Sequence, residues 1–476
     1  MEVYLASLIL LVAAIFIWRT LPKSADVKVL GLCLFLMPVA LEHHLYGWNF
    51  SGFSAFDTAG LVLIPLWLRV MVSRLLGRCT AAGDKCMSLS LFAFCLLGLM
   101  VALGNLHERS AMFMWVRVCA MAWLTFELGI AYSFDIRLVQ RMFFIIGLSA
   151  VCTAACLWLL ARNPANNVVS ELDELFTEYG DRLGGGDMFW HAQTVLGETR
   201  VLIACNPVQL GNFAGVGVVI AMAYVLGHPS RKVRLKALLM GVVLGSIMVL
   251  AQARGACIGA VAALAVIFIL LLTRSQVLSR ITLVRRTMAL TTALVLIVVP
   301  LSMSRFGAGE GGETLKERAV ALRALNRDSS MLGRRLLWRD AIQLVRAKPF
   351  GASFGANFER TGIRNPHNLY LSLLLGTGWL GAAIAFLALG RGALVMLRGC
   401  ASPLPMPAIL NTAGLGLVAF MACSGLTNIF FEISPITTCF WFALGSAVGV
   451  SLKAHAFAYN PAVTEGGVRG LKALPS

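Results

Sequence analysis

The chain has 476 residues, of which 58% are hydrophobic and only 13% are charged, and it carries a formal net charge of +17. Apolar runs close to the ~20 residues needed to cross a bilayer recur along its whole length, which excludes a soluble globular fold and gives an all-α, polytopic membrane protein. The positive charge gathers in short loops between these runs, the ordinary positive-inside signature, so it does not indicate a nucleic-acid partner.

In chain order the candidate spans are 4–18, 28–42, 57–76, 87–104, 111–133, 138–160, 202–226, 235–253, 255–273, 285–303, 367–390, 406–425 and 430–452, a count of 12 or 13. The first block of spans fills 1–160, a second set occupies 200–303 and the last spans occupy 367–453. Lys and Arg cluster at Arg19 and Lys23, at 69–85, at Arg137 and Arg141, at 231–236, at 274–286, and at Arg391 and Arg398. Those connections are expected on the cytoplasmic side, with 454–476 as a cytoplasmic tail. Alternation then puts 161–199 and 304–366 on the outer side, and the N-terminus outside if there are 13 spans. The first span lacks the basic start and small-residue cleavage site of a signal peptide. Neither long outer segment contains any of the 12 cysteines, which argues against a disulfide framework.

Connections as long as the two outer segments are commonly functional or disordered. The segment 161–199 carries Glu171, Asp173, Glu174, Glu178 and Asp181. Glu171 and Asp173 have the spacing of a carboxylate pair for a divalent ion, yet acids on a loop are more often simply solvated, so no metal ligand is assigned. His191, beside Trp190, reads as an ordinary loop histidine. The segment 304–366 is basic although it lies outside, which long loops permit. Helical spacing runs over 313–326 and 331–347. In the second stretch Leu332, Leu336, Leu337, Ala341, Leu344 and Val345 form an apolar stripe flanked by arginines that include Arg335 and Arg339. Pro349, Gly351 and Gly355 end it. Two readings of this surface stand: a solvated basic face, and a receiver for an anionic, lipid-linked substrate.

The chain then reaches Arg364-Asn365-Pro366-His367-Asn368 at the mouth of a span. An ionisable residue held near lipid is costly and marks function more often than in a soluble protein. On the expected topology Arg200, at the start of one span, and Arg254, in the tight outer turn Gln252-Ala253-Arg254-Gly255, lie at the same membrane depth as His367. Guanidinium forks suit phosphate oxygens, and an imidazole exchanges a proton near neutral pH. Together they could hold a diphosphate leaving group and activate an acceptor hydroxyl. The alternative for either arginine is a side chain that only snorkels to the interface. Arg117 lies about 9 Å inside its span at 1.5 Å per residue and suits either substrate contact or a structural pair. At about 100° per residue Gly378 and Gly381 lie within about 20° and 40° of His367 around a continuous helix, and small residues on that face would let another helix approach. Asn365 and Pro366 are expected to cap and start this helix, with His367 in its first turn.

His367-Asn368, nine residues, then Gly378-Trp379-Leu380-Gly381 resembles the signature of O-antigen ligases: His, then Asn, Ser or Gln, nine residues, then Gly-x-x-Gly. Gly333-Arg334-Arg335-Leu336-Leu337-Trp338, Pro349-Phe350-Gly351 and the Arg254-Gly255 turn are similar to the wider polymerase and ligase superfamily, so the resemblance covers roughly 200–450. No residue in the last spans is assigned as the family's acidic residue; Glu432, and the non-acidic Asn428, are candidates for that position. The resemblance implies a GT-C-like membrane glycosyltransferase of the bacterial inner membrane, working on the periplasmic face without metal, cofactor or nucleotide sugar. It would move O-antigen from an undecaprenyl diphosphate-linked donor to lipid A-core, inverting the anomeric carbon. In those terms His367 is the general base, Arg200 and Arg254 hold the donor diphosphate, and Arg117, Arg335, Arg339 and Asn368 are candidates for further substrate contact. Membrane lipids are its other partners. A polymerase or a protein O-oligosaccharyltransferase would use the same donor site, and a transporter or flippase would show internal repeats and broken helices.

Overall fold

The computed structural model describes residues 2–39, 55–75, 85–105, 109–133, 135–161, 207–250, 253–274, parts of 281–287, 329–354, 366, 368–427 and 434–459. Arg200, His191, the acidic stretch 171–181, the expected helix 313–326, Asn365, His367, Asn428 and Glu432 lie outside them, as does nearly all of the expected span 285–303.

The described residues are helical, with no strand among them. The helices are α1 (Glu2–Thr20), α2 (Ala25–Val39), α3 (Ala55–Leu75), α4 (Lys85–Gly104), α5 (Arg109–Trp115) continued through a π turn (Val116–Ala120) into α6 (Met121–Tyr132), and α7 (Ile136–Ala161). They continue with α8 (Pro207–Gly227), α9 (Arg231–Leu250), α10 (Arg254–Thr273), α11 (Ser329–Ala347), α12 (Leu369–Gly399), α13 (Pro405–Ser424) and α14 (Ser434–Tyr459). Within the described residues, every expected span except 285–303 overlaps helical structure. Seven of the described helices are long and apolar enough to cross a membrane by length and composition, and the protein is a multi-pass helical membrane protein.

The bundle is organised around α8, buried along Leu210–Gly227 and packed against α7, α9, α10 and α13. Peripheral helices turn large apolar side chains outward instead: Leu8, Leu11 and Val12 on α1, Leu61 and Leu68 on α3, Leu89 and Met100 on α4, Ile258 and Val261 on α10, and Leu387 and Leu394 on α12. Outward Leu and Ile suit a surface that meets lipid tails. Helices there associate through close packing rather than through burial from water. The contact between α6 and α14 shows how. An added Cβ at Gly445 would stand 2.2 Å from the Phe126 carbonyl oxygen, and one at Gly129 would stand 2.4 Å from that of Phe442, so these backbones touch without side chains between them. The carboxylate of Glu127, on α6, is buried nearby and accepts a hydrogen bond from the Ser88 hydroxyl of α4. The described cysteines form no disulfide with one another.

The turn between α8 and α9 is closed by basic side chains. Arg234 donates to the carbonyls of His228 and Pro229 at 3.0 and 2.6 Å, and Arg286 to that of Leu226 at 2.7 Å. Cationic groups at this C-terminal helix end meet carbonyls left without helical partners. Burial pulls the His228 imidazole below its usual pKa.

Helix α12 departs from the sequence expectation. Gly378 has φ 70° and ψ −176°, a conformation essentially restricted to glycine, and the helix folds there into a first arm, Leu369–Thr377, and a second arm, Trp379–Gly399. The rings of Tyr370 and Phe386 stack with centroids 5.7 Å apart. In a straight helix residues so spaced would be separated by about 24 Å along the axis. The two arms therefore lie back beside one another. The expectation that Gly378 and Gly381 share one continuous helical face with the start of the helix is corrected, because 100° steps do not carry through the break.

Candidate functional site

The start of the first arm is fixed by Asn368. Its side-chain oxygen accepts the backbone N–H groups of Tyr370 and Leu371 at 3.0 and 3.1 Å, and its amide donates to the Leu426 carbonyl at 3.1 Å. Asn368 is thus the N-cap, in extended conformation at φ −147° and ψ 117°, and the helix begins at Leu369. Asn is among the best residues for this job because its short side chain reaches the free amides of the first turn. The expected start at Asn365 and Pro366 is corrected by these bonds: in the sequence His367 directly precedes the cap and is not in the first helical turn. The buried Asn368 side chain uses both its oxygen and its amide on the protein's own backbone. Asn368→Ala removes the cap and the tie to Leu426; loss of the cap alone is expected to cost about 0.5–2 kcal/mol, read as a lower midpoint of thermal unfolding in detergent.

The partner of this cap is the end of α13. Leu369 N–H donates to the Gly425 carbonyl at 2.8 Å, and the Tyr370 hydroxyl to that of Ala422 at 2.7 Å. Ser424, fully buried, donates its hydroxyl to the Asn212 side-chain oxygen of α8 at 2.5 Å. On the other side Gly259 of α10 comes so close that an added Cβ would stand 2.8 Å from the Phe420 carbonyl oxygen and 3.1 Å from the Ser424 Cβ. Arg254 is the first residue of α10, about 7.5 Å beyond Gly259 along the helix. The backbone of Arg254 and the Asn368 cap consequently lie at the same end of the bundle, joined through α13.

Helix α11 runs beside the first arm in the same direction. Ala341 and Val345 are buried against Leu375, with Leu344, Leu371 and Leu374 around them. This matches the expected stripe at Ala341, Leu344 and Val345. Arg335 and Arg339 lie on the exposed side of the helix. The first arm is also tied to α11 and the turn after it at both of the arm's ends. From the middle of α11 the Trp338 indole N–H donates to the Pro366 carbonyl at 2.8 Å. Beyond its end, Trp379 N–H donates to the Pro349 carbonyl at 3.0 Å, and Ala352 N–H to that of Leu375 at 2.6 Å. The Pro349–Gly351 turn fits into the break of α12. An added Cβ at Gly378 would stand 2.4 Å from the Phe350 carbonyl carbon, and one at Gly351, whose φ is 96°, would stand 2.7 Å from the nitrogen of Gly378. Around the joint Phe350, Trp379 and Leu380 are exposed.

Arg117 falls in the π turn Val116–Ala120 and is half-buried. That turn packs chiefly with α4, α5, α6 and α14. Single π turns inside longer helices are frequent at functional sites. Among the described residues no three His, Cys, Asp or Glu side chains gather to hold a metal ion.

Sequence reasoning missed Trp338. It precedes Ala341 and Val345 by three and seven residues, and that spacing alone places it on the face turned to α12. The Asn212–Ser424 pair carried no signal, because it joins spans far apart in the chain.

Fold and site together define a multi-pass helical membrane protein with a polar site where several helix ends meet, splinted by an amphipathic helix. Residues 239–386, which hold half of α9, all of α10 and α11 and the break of α12, match the family model described as O-antigen ligase, and this supports assignment of the chain to the O-antigen ligase family. The match is narrower than the span over which the motifs resemble that family. No curated protein matches the chain.

Proposed function

We propose that this protein transfers O-antigen polysaccharide from undecaprenyl diphosphate to lipid A-core oligosaccharide on the periplasmic face of the bacterial inner membrane. The observation that carries the reading is the position of His367 in the chain, between Pro366, held by α11, and Asn368, held by α13, within the segment that matches the ligase family. In this mechanism an acceptor sugar hydroxyl attacks the anomeric carbon of the donor glycan. The new glycosidic C–O bond forms as the bond to the diphosphate oxygen breaks, the hydroxyl proton passes to the His367 imidazole, and the anomeric centre inverts. Arg200 and Arg254 neutralise the departing diphosphate without a divalent ion, and Arg117, Arg335 and Arg339 are candidates for contact with the rest of the substrates. Asn368 acts here as the residue that holds the helix start.

A transporter is disfavoured by what fills the break in α12. Discontinuous helices of transporters present their ends to a substrate site, whereas this break receives the chain's own Pro349–Gly351 turn.

Deletion of the protein in its native cell tests the acceptor. Lipid A-core without polymer, together with accumulated lipid-linked polymer, is the expected outcome. Accumulated single repeat units would indicate a polymerase, and loss of glycan from proteins would indicate a protein O-oligosaccharyltransferase. For the donor site, Arg254→Lys is expected to lower transfer in a reconstituted assay with excess EDTA by about tenfold or more, since a point charge lacks the bidentate fork worth about 1.5–3 kcal/mol. Full activity in that variant would reduce Arg254 to an interfacial anchor.

A further inference from the structure

We propose that Trp338 is a positioning residue for the reaction, acting through the Pro366–His367 peptide; the inference rests on the assignment of His367 as general base. The indole N–H of Trp338 holds the Pro366 carbonyl at 2.8 Å. That carbonyl belongs to the planar peptide unit whose nitrogen is that of His367, so a bond that fixes the oxygen constrains the whole unit. On the far side of His367, Asn368 is fixed by bonds to Tyr370, Leu371 and Leu426. Only one residue stands between the two anchors, and it is the one with the imidazole.

The anchors come from different elements. Asn368 is secured by the end of α13, inside the bundle, and Trp338 by its place midway along α11, which is seated on the first arm by Ala341 and Val345 and followed by the Pro349 carbonyl that accepts from Trp379. Splinting by α11 thus runs from the break at Gly378 back to the residue before His367. A structural purpose alone would be met by the apolar stripe. The directed N–H bond to the residue before His367 adds orientation, the quantity on which proton transfer to a positioned base depends.

The test is Trp338→Phe in the full-length protein, reconstituted in vesicles with a polyprenyl diphosphate-linked glycan donor and lipid A-core acceptor. Phe keeps an aromatic ring on the stripe and removes the N–H donor together with part of the indole's volume. A fall in kcat of about 10- to 100-fold per folded molecule is expected, with donor KM within about threefold, an unfolding midpoint lowered only modestly by the lost hydrogen bond, and a displaced pH dependence of kcat. On a His367→Ala background the same substitution should lower the residual rate no further, because groups acting through one another are not additive. Unchanged kcat overturns the proposal, as does a raised KM at constant kcat, which would make Trp338 a substrate contact. A lowered unfolding midpoint with normal kcat per folded molecule also overturns it and leaves Trp338 as packing. His367→Ala measured alone separates the two layers: if it remains active the general-base assignment fails, and if it is inactive while Trp338→Phe is normal only the positioning role fails.

Discussion

Replacement of His367 by Ala is expected to slow glycan transfer by about 10²- to 10⁴-fold, the usual contribution of a positioned general base. The apolar helices carry none of that loss, so yield from membranes and the unfolding midpoint should match the parent protein. The decisive measurement is single-turnover transfer with donor in excess of its KM, where binding is saturated and only the chemical step is read. Asn, whose carboxamide is not a base near neutral pH, should not recover the rate. Transfer within about threefold of the parent by His367→Ala would move the proton acceptor elsewhere in the site.

The second large effect is expected at Gly378. Gly378→Ala places a Cβ 2.4 Å from the Phe350 carbonyl carbon and 2.5 Å from the Pro349 oxygen, both backbone atoms. It also forces a side chain into a conformation that costs about 1–3 kcal/mol before any clash. Either the turn leaves the break, losing the Trp379–Pro349 bond, or the two arms of α12 change their angle. A sharp drop in folded yield and in unfolding midpoint should follow. Gly390→Ala, on the same helix with open space around it, is the control and should be neutral or slightly stabilising, as Ala favours a helix interior. Equal behaviour of the two variants would contradict the folded-back geometry of α12.

The spans were legible because each must be apolar over about 20 residues whatever its neighbours do, and the described helices fall where those runs fall. Even α11 could be read, since its stripe at Ala341, Leu344 and Val345 keeps a helical period. The break at Gly378 could not. It lies in an unbroken apolar run, and a glycine inside a helical pattern is ordinarily tolerated at about 1 kcal/mol relative to Ala, so nothing local distinguishes it from Gly381 or Gly390. What fixes its conformation is the Pro349–Gly351 turn, and sequence periodicity does not report contacts between elements. The helix start was misread for a related reason. Asn365 and Asn368 are both plausible caps by type, and the choice is made by Leu426 and Gly425, carbonyls nearly sixty residues further along the chain. His367 is marked as a candidate by its place at the mouth of a span, and His367-Asn368 again by their spacing to Gly378 and Gly381. Trp338 stands out only as the last residue of a motif, since no local pattern reports the Pro366 carbonyl, 28 residues on, that its indole meets.

The fold at Gly378 also relieves α12 of a problem of length. As a straight rod its 31 residues would extend about 46 Å, half as long again as a hydrocarbon layer of about 30 Å, and such excess is absorbed elsewhere by tilting or local thickening of the bilayer. Here Trp379–Gly399 alone measures about 31 Å, so membrane thickness governs only that arm. Leu369–Thr377 answers to a different ruler, the distance along α11 from Trp338 to Pro349. An inserted residue in the second arm could be taken up by a change of tilt, whereas one in the first would throw its two ends out of register with α11.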